Sequence, residues 1–544
     1  MRSIRPSYAL RSTLSALLLL SVPFAPIGIA LAQELCVPDD YPTIQAAIDA
    51  ADDGDTINVL EGDYLEKLQI EDKDLTISGP DGAAVTTIDG STTFSTNLSA
   101  TIAIVDCVVS LTGFTITGST GTTVVEAGII ESTGGGVFVF EGGLTLTDCT
   151  LIDNECDSGG GAVNGREADI TIENCEFSEN SGLWGGAIYV ADSSLTIVSS
   201  SFEANSGGVY GGAVYADASI DPDDDLSVDG CHFSNNTSVR FGAIGALLTS
   251  SFEDTVFEDN STTVAAGALA IVGPSSVVHC EFVGNTTGPP GGAIATSTAT
   301  GADIVFEHCL IAGNEAAAAG GGVHCIGTGL VEFRHCTIAD NVAGATSAAV
   351  NRNPNGAIPE LLFNSCILWG NGPDAATAIN PLSLLTIEYS LVEGGAVGVG
   401  NLDEDPLFVD PALGDYRLTE DSPCIDTGDP LSPLDPDGSL ADMGALPVAP
   451  EFLRGDVDGD GAVSTLVDAL MLLEFGFVAG SAAPPCLDAA DVDGDGILSP
   501  LLDSFALLTF TLAGGPTPPA PGPDECGPNP GGAALGCATL PSCP

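Results

Sequence analysis

The sequence predicts an all-β chain, a right-handed parallel β-helix with an N-terminal helical cap, followed by a small α-helical module built on two acidic loops. Three observations lead there. An Asn recurs at Asn154, Asn180, Asn205, Asn236, Asn260, Asn285, Asn314, Asn341 and Asn371, at steps of 24 to 31 residues. Apolar or Cys residues stand at fixed distances before it, and a Gly-Gly-Ala-Ile/Val segment recurs after it. A period of this length with variable insertions is what one coil per repeat produces.

The stretch CEFSENSGLWGGAIYV (175–190) contains the whole pattern. Three residues before the Asn comes an apolar column that includes Phe177, Phe202, Phe233, Phe257 and Phe282. Five before it stand Cys149, Cys175, Cys231, Cys280, Cys309, Cys336 and Cys366, replaced by Ser200 and Thr255 in two coils. These two positions differ by two, so in a strand they share one face, which points inward. Eight before the Asn runs a second apolar column, from Leu146 to Phe363. The mostly polar pair between the columns reads as a bend. With the Gly-Gly-Ala strand, this gives three strands per turn and no intervening helix. Asn is expected to take the left-handed turn and to stack its amides from coil to coil. Gly-Gly is expected where a side chain would clash. Counting earlier strands such as DLTISG (74–79) and GFTITG (113–118), about 11 to 13 coils result, roughly 50 to 60 Å long at ~4.8 Å per coil.

Residues 1–32 read as a secretory signal peptide: Arg2, Arg5 and Arg11 precede an apolar run ending Ala-Leu-Ala. Residues 33–400 form the β-helix. It opens with YPTIQAAIDAADDGDTI, whose Pro42 suits a first helical turn and whose Ile44, Ala47, Ile48 and Ala51 form one stripe. A helix there covers strand edges that an open coil would expose. Residues 401–450 read as a closing cap, 451–515 as a separate module, and 516–544 as a Pro/Gly/Cys tail. Cys486 with Cys526, Cys537 and Cys543 allows two disulfides in three pairings. The column cysteines read instead as buried small residues.

The strongest chemical motif lies in that module. RGDVDGDGAVSTLVDALMLLEF and ADVDGDGILSPLLDSFALLTF are copies offset by 35 residues, each with Asp-x-Asp-x-Asp-Gly. Alternate acids before a Gly turn supply the oxygens that calcium requires. The expected ligands are Asp456, Asp458, Asp460, the Ala462 carbonyl and Ser464 in the first loop. In the second they are Asp491, Asp493, Asp495, the Ile497 carbonyl and Ser499. The closing acid belongs at loop position 12, where Val467 and Leu502 stand. Asp468 and Asp503 follow one residue later in both copies, and are taken as the closing ligands.

This duplicated module resembles the dockerin domains, in the divergent form carried by planctomycete secreted proteins with a similar CLDAAD spacer and CGP tail. The resemblance implies EF-hand-type calcium loops and a cohesin-like partner. The Phe-x-x-Asn and Gly-Gly-Ala-Ile repeats are similar to those of chlamydial polymorphic outer-membrane proteins. With YPTIQAAIDAADDGDTI, SCILWGN and DPLFVDP, residues 37 to 447 resemble the pectin-lyase-like β-helix family, which implies an extracellular carbohydrate-related role.

Charge narrows the partners. Loss of the leader leaves 8 basic against 75 acidic residues, a net charge near −67. Such a surface repels nucleic acid, anionic lipid and polyuronate. No later segment is long and apolar enough to span a membrane. The expected function is a secreted or surface-displayed acidic scaffold or adhesion-type protein. Its partner is a polysaccharide or a surface or matrix protein, and calcium is its cofactor. The alternative is an extracellular carbohydrate-active enzyme, a polysaccharide lyase or glycosidase. A lyase needs a base, and the shaft and cap offer Lys67, Lys73, Arg166, Arg240, Arg334, Arg352 and Arg417, none in a catalytic motif. His279, His308 and His335 share one turn position on three consecutive coils, within reach of Glu281 and Glu332. They form a candidate metal or acid–base column, against the plainer reading of a solvated turn. A groove of carboxylates at one height would favour the enzyme. A flat face of small residues would favour the scaffold.

Overall fold

A computed structural model describes residues 32–446 and 454–519, except 92–99, 122–123, 127–128, 132–134, 218–223, 289–290, 299–301, 345–347, 353–357, 373–377, 381–382, 436–437, 458–462, 464–466, 479–483, 485, 495–497 and 514–516. The leader and nearly all of the tail therefore lie outside the described residues. The chain winds into a right-handed parallel β-helix of about 12 turns. Its strands form sheets of 24, 13 and 9 members, each strand pairing in parallel with its counterparts one coil away.

Among the described residues nine of the coils contain four strand segments, and the first coils contain the expected three. The Gly-Gly-Ala strand and the following apolar strand both belong to the 24-stranded sheet. Two strands, Val137–Thr147 and Val163–Glu173, run unbroken through the corner between its limbs. The Phe strands, such as Glu176–Ser178 and Ser201–Glu203, build the 13-stranded sheet. A short strand after each Asn, such as Ser181–Gly182, builds the 9-stranded one. Sequence periodicity missed these last strands because most have two residues and none more than five, too few to alternate visibly.

The columns are stacks. Phe177, Phe202, Phe233, Phe257 and Phe282 lie 4.6 to 5.2 Å apart with rings within 11° of parallel. Phe306, Phe333 and Phe363 repeat the arrangement in the next column. The bend is where the polar pair places it: Asp148, Asn174, Ser199, Asp254, His279, His308, His335 and Ser365 all have φ between 46° and 55°.

The Asn column differs from expectation. The left-handed residue is the one before it (Asp153, Glu179, Ala204, Asn235, Asp259, Asp340). The Asn itself turns inward and is almost fully buried. Asn236 Nδ2 donates to the Phe202 carbonyl of the coil before at 2.9 Å and to Asn260 Oδ1 of the coil after at 3.0 Å. Its Oδ1 accepts from both the backbone N–H and Nδ2 of Asn205 at 3.0 Å. The amide-to-amide bond repeats from Asn154 to Asn371. Asn fits where Leu would not because each corner leaves buried backbone groups that need both a donor and an acceptor.

The Cys column also hydrogen-bonds. Cys175 Sγ accepts from the Cys149 N–H at 3.4 Å, Ser200 Oγ from Cys175 at 3.0 Å and Thr255 Oγ1 from Cys231 at 3.3 Å. Ser and Thr replace Cys because the slot requires a small side chain ending in an acceptor. All seven column cysteines are buried thiols. The Gly-Gly rule is a rule of space: a Cβ on Gly186 would sit 1.8 Å from the Gly212 carbonyl oxygen, and one on Gly242 1.6 Å from that of Gly267.

The N-terminal helix is Ile44–Ala50, with Ile44, Ala47 and Ile48 buried. Thr43 is its N-cap, accepting from the Ala46 N–H at 3.1 Å. Pro42 thus lies just outside the first turn. Lys73 Nζ closes the other end on the Ile48 and Ala51 carbonyls at 3.0 and 2.9 Å.

Residues 401–446 fold back along the 13-stranded sheet. Tyr416 and Ala445 pack with Leu310, Ala312 and Ala339, and Leu418, Cys424 and Met443 with Ile367 and Leu391. Asp429 N–H donates to Ser365 Oγ at 2.8 Å and Ala445 N–H to Thr337 Oγ1 at 3.0 Å. The segment is a clasp along the side of the rod.

Asn236→Ala strands buried donors and acceptors on three coils. The expected loss is about 3 kcal/mol or more of unfolding free energy, from several unmet hydrogen bonds in a dry interior. Denaturant melts should show it, whereas Ser251→Ala on an exposed strand position should stay within about 0.5 kcal/mol.

Candidate functional site

In the C-terminal module, helices Val467–Phe477 and Pro500–Ala513 pack together over a core of Val457, Ala469, Leu472, Ala490, Val492 and Leu507. Helix phase explains the one-residue shift of the closing acids. Val467 and Leu502, at position 12, are 54% and 58% exposed, while Asp468 and Asp503 are fully buried and face their loops. Asp468 Oδ1 accepts from the Val457 N–H at 2.8 Å. Asp503 Oδ1 accepts from the equivalent Val492 N–H at 2.9 Å, and its Oδ2 from Ser499 N–H at 2.8 Å.

In the second loop Asp491, Asp493 and Asp503 converge, each offering a carboxylate oxygen within 4.8 Å of the others. Burial and the Asp493 charge push the Asp503 carboxyl up to about 6. A carboxylate cluster of this kind, with Asp491 and Asp503 buried and Asp493 exposed, has the donor set of a hard divalent cation. Arg454, reaching over from the first loop, donates to the Asp491 carbonyl and lies 3.4 Å from its carboxylate, offsetting part of the negative charge. Asp456 is buried in the first loop. Asp458, Asp460, Ala462, Ser464, Asp495 and Ile497 lie outside the described residues, and Ser499 contributes its backbone N–H.

The histidine column is present but is used differently. His308 and His335 stack at 4.8 Å, and the His279 ring lies 5.3 Å from His308, tilted by 42°. The clasp covers the first pair. His335 Nδ1 is 3.1 Å from the Asp442 carbonyl and Nε2 3.0 Å from Ser432 Oγ. The geometry fits a neutral ring donating from Nδ1 and accepting at Nε2. Burial, with its two neighbours adding, pushes His308 down to about 4. Burial also lowers His335. Glu253 and Asp254 gather with His279 on the exposed side, while Glu307, Asp429 and Asp442 act on His335.

The shaft also contains a group that sequence reasoning missed. The residue after the inward Ile or Val of each Gly-Gly-Ala strand points outward. In register these are Phe138, Asn164, Tyr189, Tyr215, Gly245, Ala270, Ala295, His324 and Asn351. Tyr189 and Tyr215 are buried although they point away from the core. Trp184 and Phe241, from turns that precede Gly-Gly-Ala-type strands, and Tyr210, the last residue of strand Ser206–Tyr210, stack with them. Centroids are 5.4 Å apart for Trp184–Tyr210, 5.4 Å for Tyr210–Phe241, 5.0 Å for Tyr210–Tyr215 and 5.9 Å for Tyr189–Tyr215. Gly245 leaves room for Phe241, whose ring would lie 2.6 Å from a Cβ there.

Polar groups border the rings. Tyr215 O–H donates to Asp217 Oδ1 at 3.3 Å. Burial and the Asp217 charge raise the Tyr215 phenol, and the same two causes raise Tyr189, with Arg166 partly opposing. The Arg240 guanidinium lies 6.0 Å from the Tyr210 ring centre. Most other basic candidates have structural partners: Lys73 caps the helix, Arg334 pairs with Glu332 at 2.8 Å, Arg417 pairs with Asp415 at 2.9 Å, and Arg352 is buried against the Pro359 and Leu384 carbonyls. Beside the face, Asp72, Asp106, Glu141, Glu167 and Asp192 occupy the corner of consecutive coils, all left-handed and exposed. A hydrogen bond to Asp106 is the main cause that raises the Glu141 carboxyl. Carboxylates thus do stand at one height, but on a ridge and not in a groove.

A family model described as a right-handed β-helix region matches residues 68–223. Pectate lyase Pel9A is 14% identical, with 77% of this chain and 97% of that one covered, at a TM-score of 0.34. A PL6-family alginate lyase is 10% identical, covering 71% and 55%, at 0.35. A carrot pectin methylesterase is 12% identical, covering 68% and 82%, at 0.24. No curated protein sequence matches the chain. The matched region agrees with the class that the coils themselves define, a right-handed parallel β-helix. Among the described residues no helix is long and apolar enough to cross a membrane.

The clasp carries a pH prediction. His308 and His335 have folded pKa values below the unfolded value of about 6.5, so their burial favours the docked clasp above that pH. The contribution is lost as pH falls from about 6.5 toward 4. Hydrogen exchange of residues 424–446 should accelerate between pH 7 and pH 5 relative to the mid-shaft strands, after correction for intrinsic rates. His308→Phe should abolish most of the difference.

Proposed function

We propose that this chain is an extracellular acidic β-helix rod that acts as a binding scaffold, held at its C-terminal end by a calcium-stabilised, dockerin-like module. The observation that carries the reading is the convergence of Asp491, Asp493 and Asp503 within 4.8 Å. Asp503 reaches that cluster only through the shift that both copies share. Asp456, Asp458, Asp460 and Asp468 would hold a second ion in the first loop, with the Ala462 carbonyl and Ser464. Asp495, the Ile497 carbonyl and Ser499 would complete the second. A cation there offsets the repulsion that raises Asp503, and so couples metal binding to folding of the module. The partner of such a module is a cohesin-like domain on a surface or matrix protein.

A second reading, a carbohydrate-active enzyme, is favoured by one observation: Arg166, Asp217, Tyr189 and Tyr215 meet on the outward face of the shaft. The shaft's charge disfavours uronate substrates, so the glycosidase form suits it better than the lyase.

Calorimetric titration of the metal-stripped full chain is expected to show about two calcium ions bound, with helix gained in far-UV circular dichroism. Asp503→Asn should remove about one of them. Absence of calcium binding at millimolar concentration would reject the module. Release of reducing ends from neutral polysaccharides that is abolished by Asp217→Asn would establish the second reading.

A further inference from the structure

We infer that the aromatic face of the shaft, formed by Trp184, Tyr210 and Phe241 over Tyr189 and Tyr215, is a binding site for a neutral polysaccharide chain. The inference rests on the binding-rod reading and names its ligand, but uses no part of the calcium module.

The fold does not require rings at these positions. The same outward column carries Gly245, Ala270 and Ala295 in the next three coils, with equally regular pairing. The rings are nevertheless concentrated here. Of 2 Trp and 8 Tyr in the whole chain, one Trp and three Tyr belong to this face. Trp184, Tyr210 and Phe241 are partly buried, Tyr210 at the end of strand Ser206–Tyr210 and the other two in turns, and follow one another at 5.4 Å, one per coil, with planes 10° and 30° apart. The rings stack on one another, so the row offers a ligand a continuous strip of aromatic edges, at a pitch close to the repeat of an extended sugar chain whose apolar C–H patches lie against it.

The border matches the other half of a sugar. Asp217, held by the Tyr215 hydroxyl at 3.3 Å, accepts hydrogen bonds from ligand hydroxyls, and Arg166 and Arg240 donate from either side. An apolar floor with a few fixed polar groups is the general form of a ligand site. Charge then selects within the class. With a net charge of −64 and exposed Glu167 and Asp192 alongside, uronate and sulfated chains are repelled.

The test uses the full-length protein carrying Trp369→Phe, which leaves Trp184 as the single indole. Cellohexaose, xylohexaose and mannohexaose are titrated against its fluorescence, with hexagalacturonate as the charged control. At least one neutral hexaose is expected to shift the emission saturably, and hexagalacturonate is not. Tyr210→Ala should weaken binding about tenfold and Tyr210→Phe less than about threefold, in proportion to the ring surface removed. The melting temperature of each variant verifies folding. The inference is overturned if no neutral hexaose binds, if hexagalacturonate binds best, or if folded Tyr210→Ala binds as tightly as its parent. A change in emission with protein concentration alone overturns it too, since a second copy would then be the occupant. Calcium binding, read at the other end of the chain, distinguishes failure of this site from failure of the rod-and-module reading.

Discussion

The buried Asn ladder is the interaction on which the shaft depends. A parallel coil must turn at each corner, and each turn leaves backbone groups that point inward, away from water. Leaving such groups unmet costs about 1 to 3 kcal/mol apiece. One carboxamide per coil meets them, because it presents a donor and an acceptor on the same short side chain. Each amide touches the coil before and the coil after, as Asn236 does with Phe202 and Asn260. Stability in this part of the rod is therefore shared between neighbours, and insertions are confined to the turns that the ladder does not use.

That division explains where chemistry can reside. Inward positions are committed to Phe, Cys and Asn stacks, and a change there is felt on adjacent coils. Outward positions are free, as the succession Tyr189, Tyr215, Gly245, Ala270 shows. The aromatic face and the acidic ridge are local additions to a scaffold that tolerates them. The left-handed column at the bend is similarly permissive: Asp, Asn, Ser, Gly and His all occupy it. For this reason three histidines in a row there needed no catalytic purpose, and two of them became the contact on which the clasp rests.

Much of the fold was legible in the sequence because inward residues repeat by type. The Phe and Cys columns, the bend and the Gly-Gly-Ala strand all follow from spacing alone. The post-Asn strand did not, being too short to show a period. The left-handed residue was assigned to Asn when it belongs to its neighbour, because Asp153, Glu179 and Ala204 share no side-chain chemistry. The clasp was read as an end cap because its partners, Leu310 and Thr337, lie about a hundred residues earlier and no local pattern encodes that distance. The acidic loops were visible as duplicated motifs, and the inward aim of Asp503 required only the helix phase. The aromatic face was hidden: Trp184, Tyr210 and Phe241 precede strands at irregular spacings, and only the register brings them together.

We propose a shaft that is rigid through its own ladder and a terminal module that calcium orders. Hydrogen exchange of the full chain, compared in calcium and in a calcium chelator, separates the two most directly. The expected result is strong protection of residues 137–392 in both conditions, with calcium adding protection only within 454–513. A shaft whose protection falls when calcium is removed, or a module indifferent to it, would contradict the account.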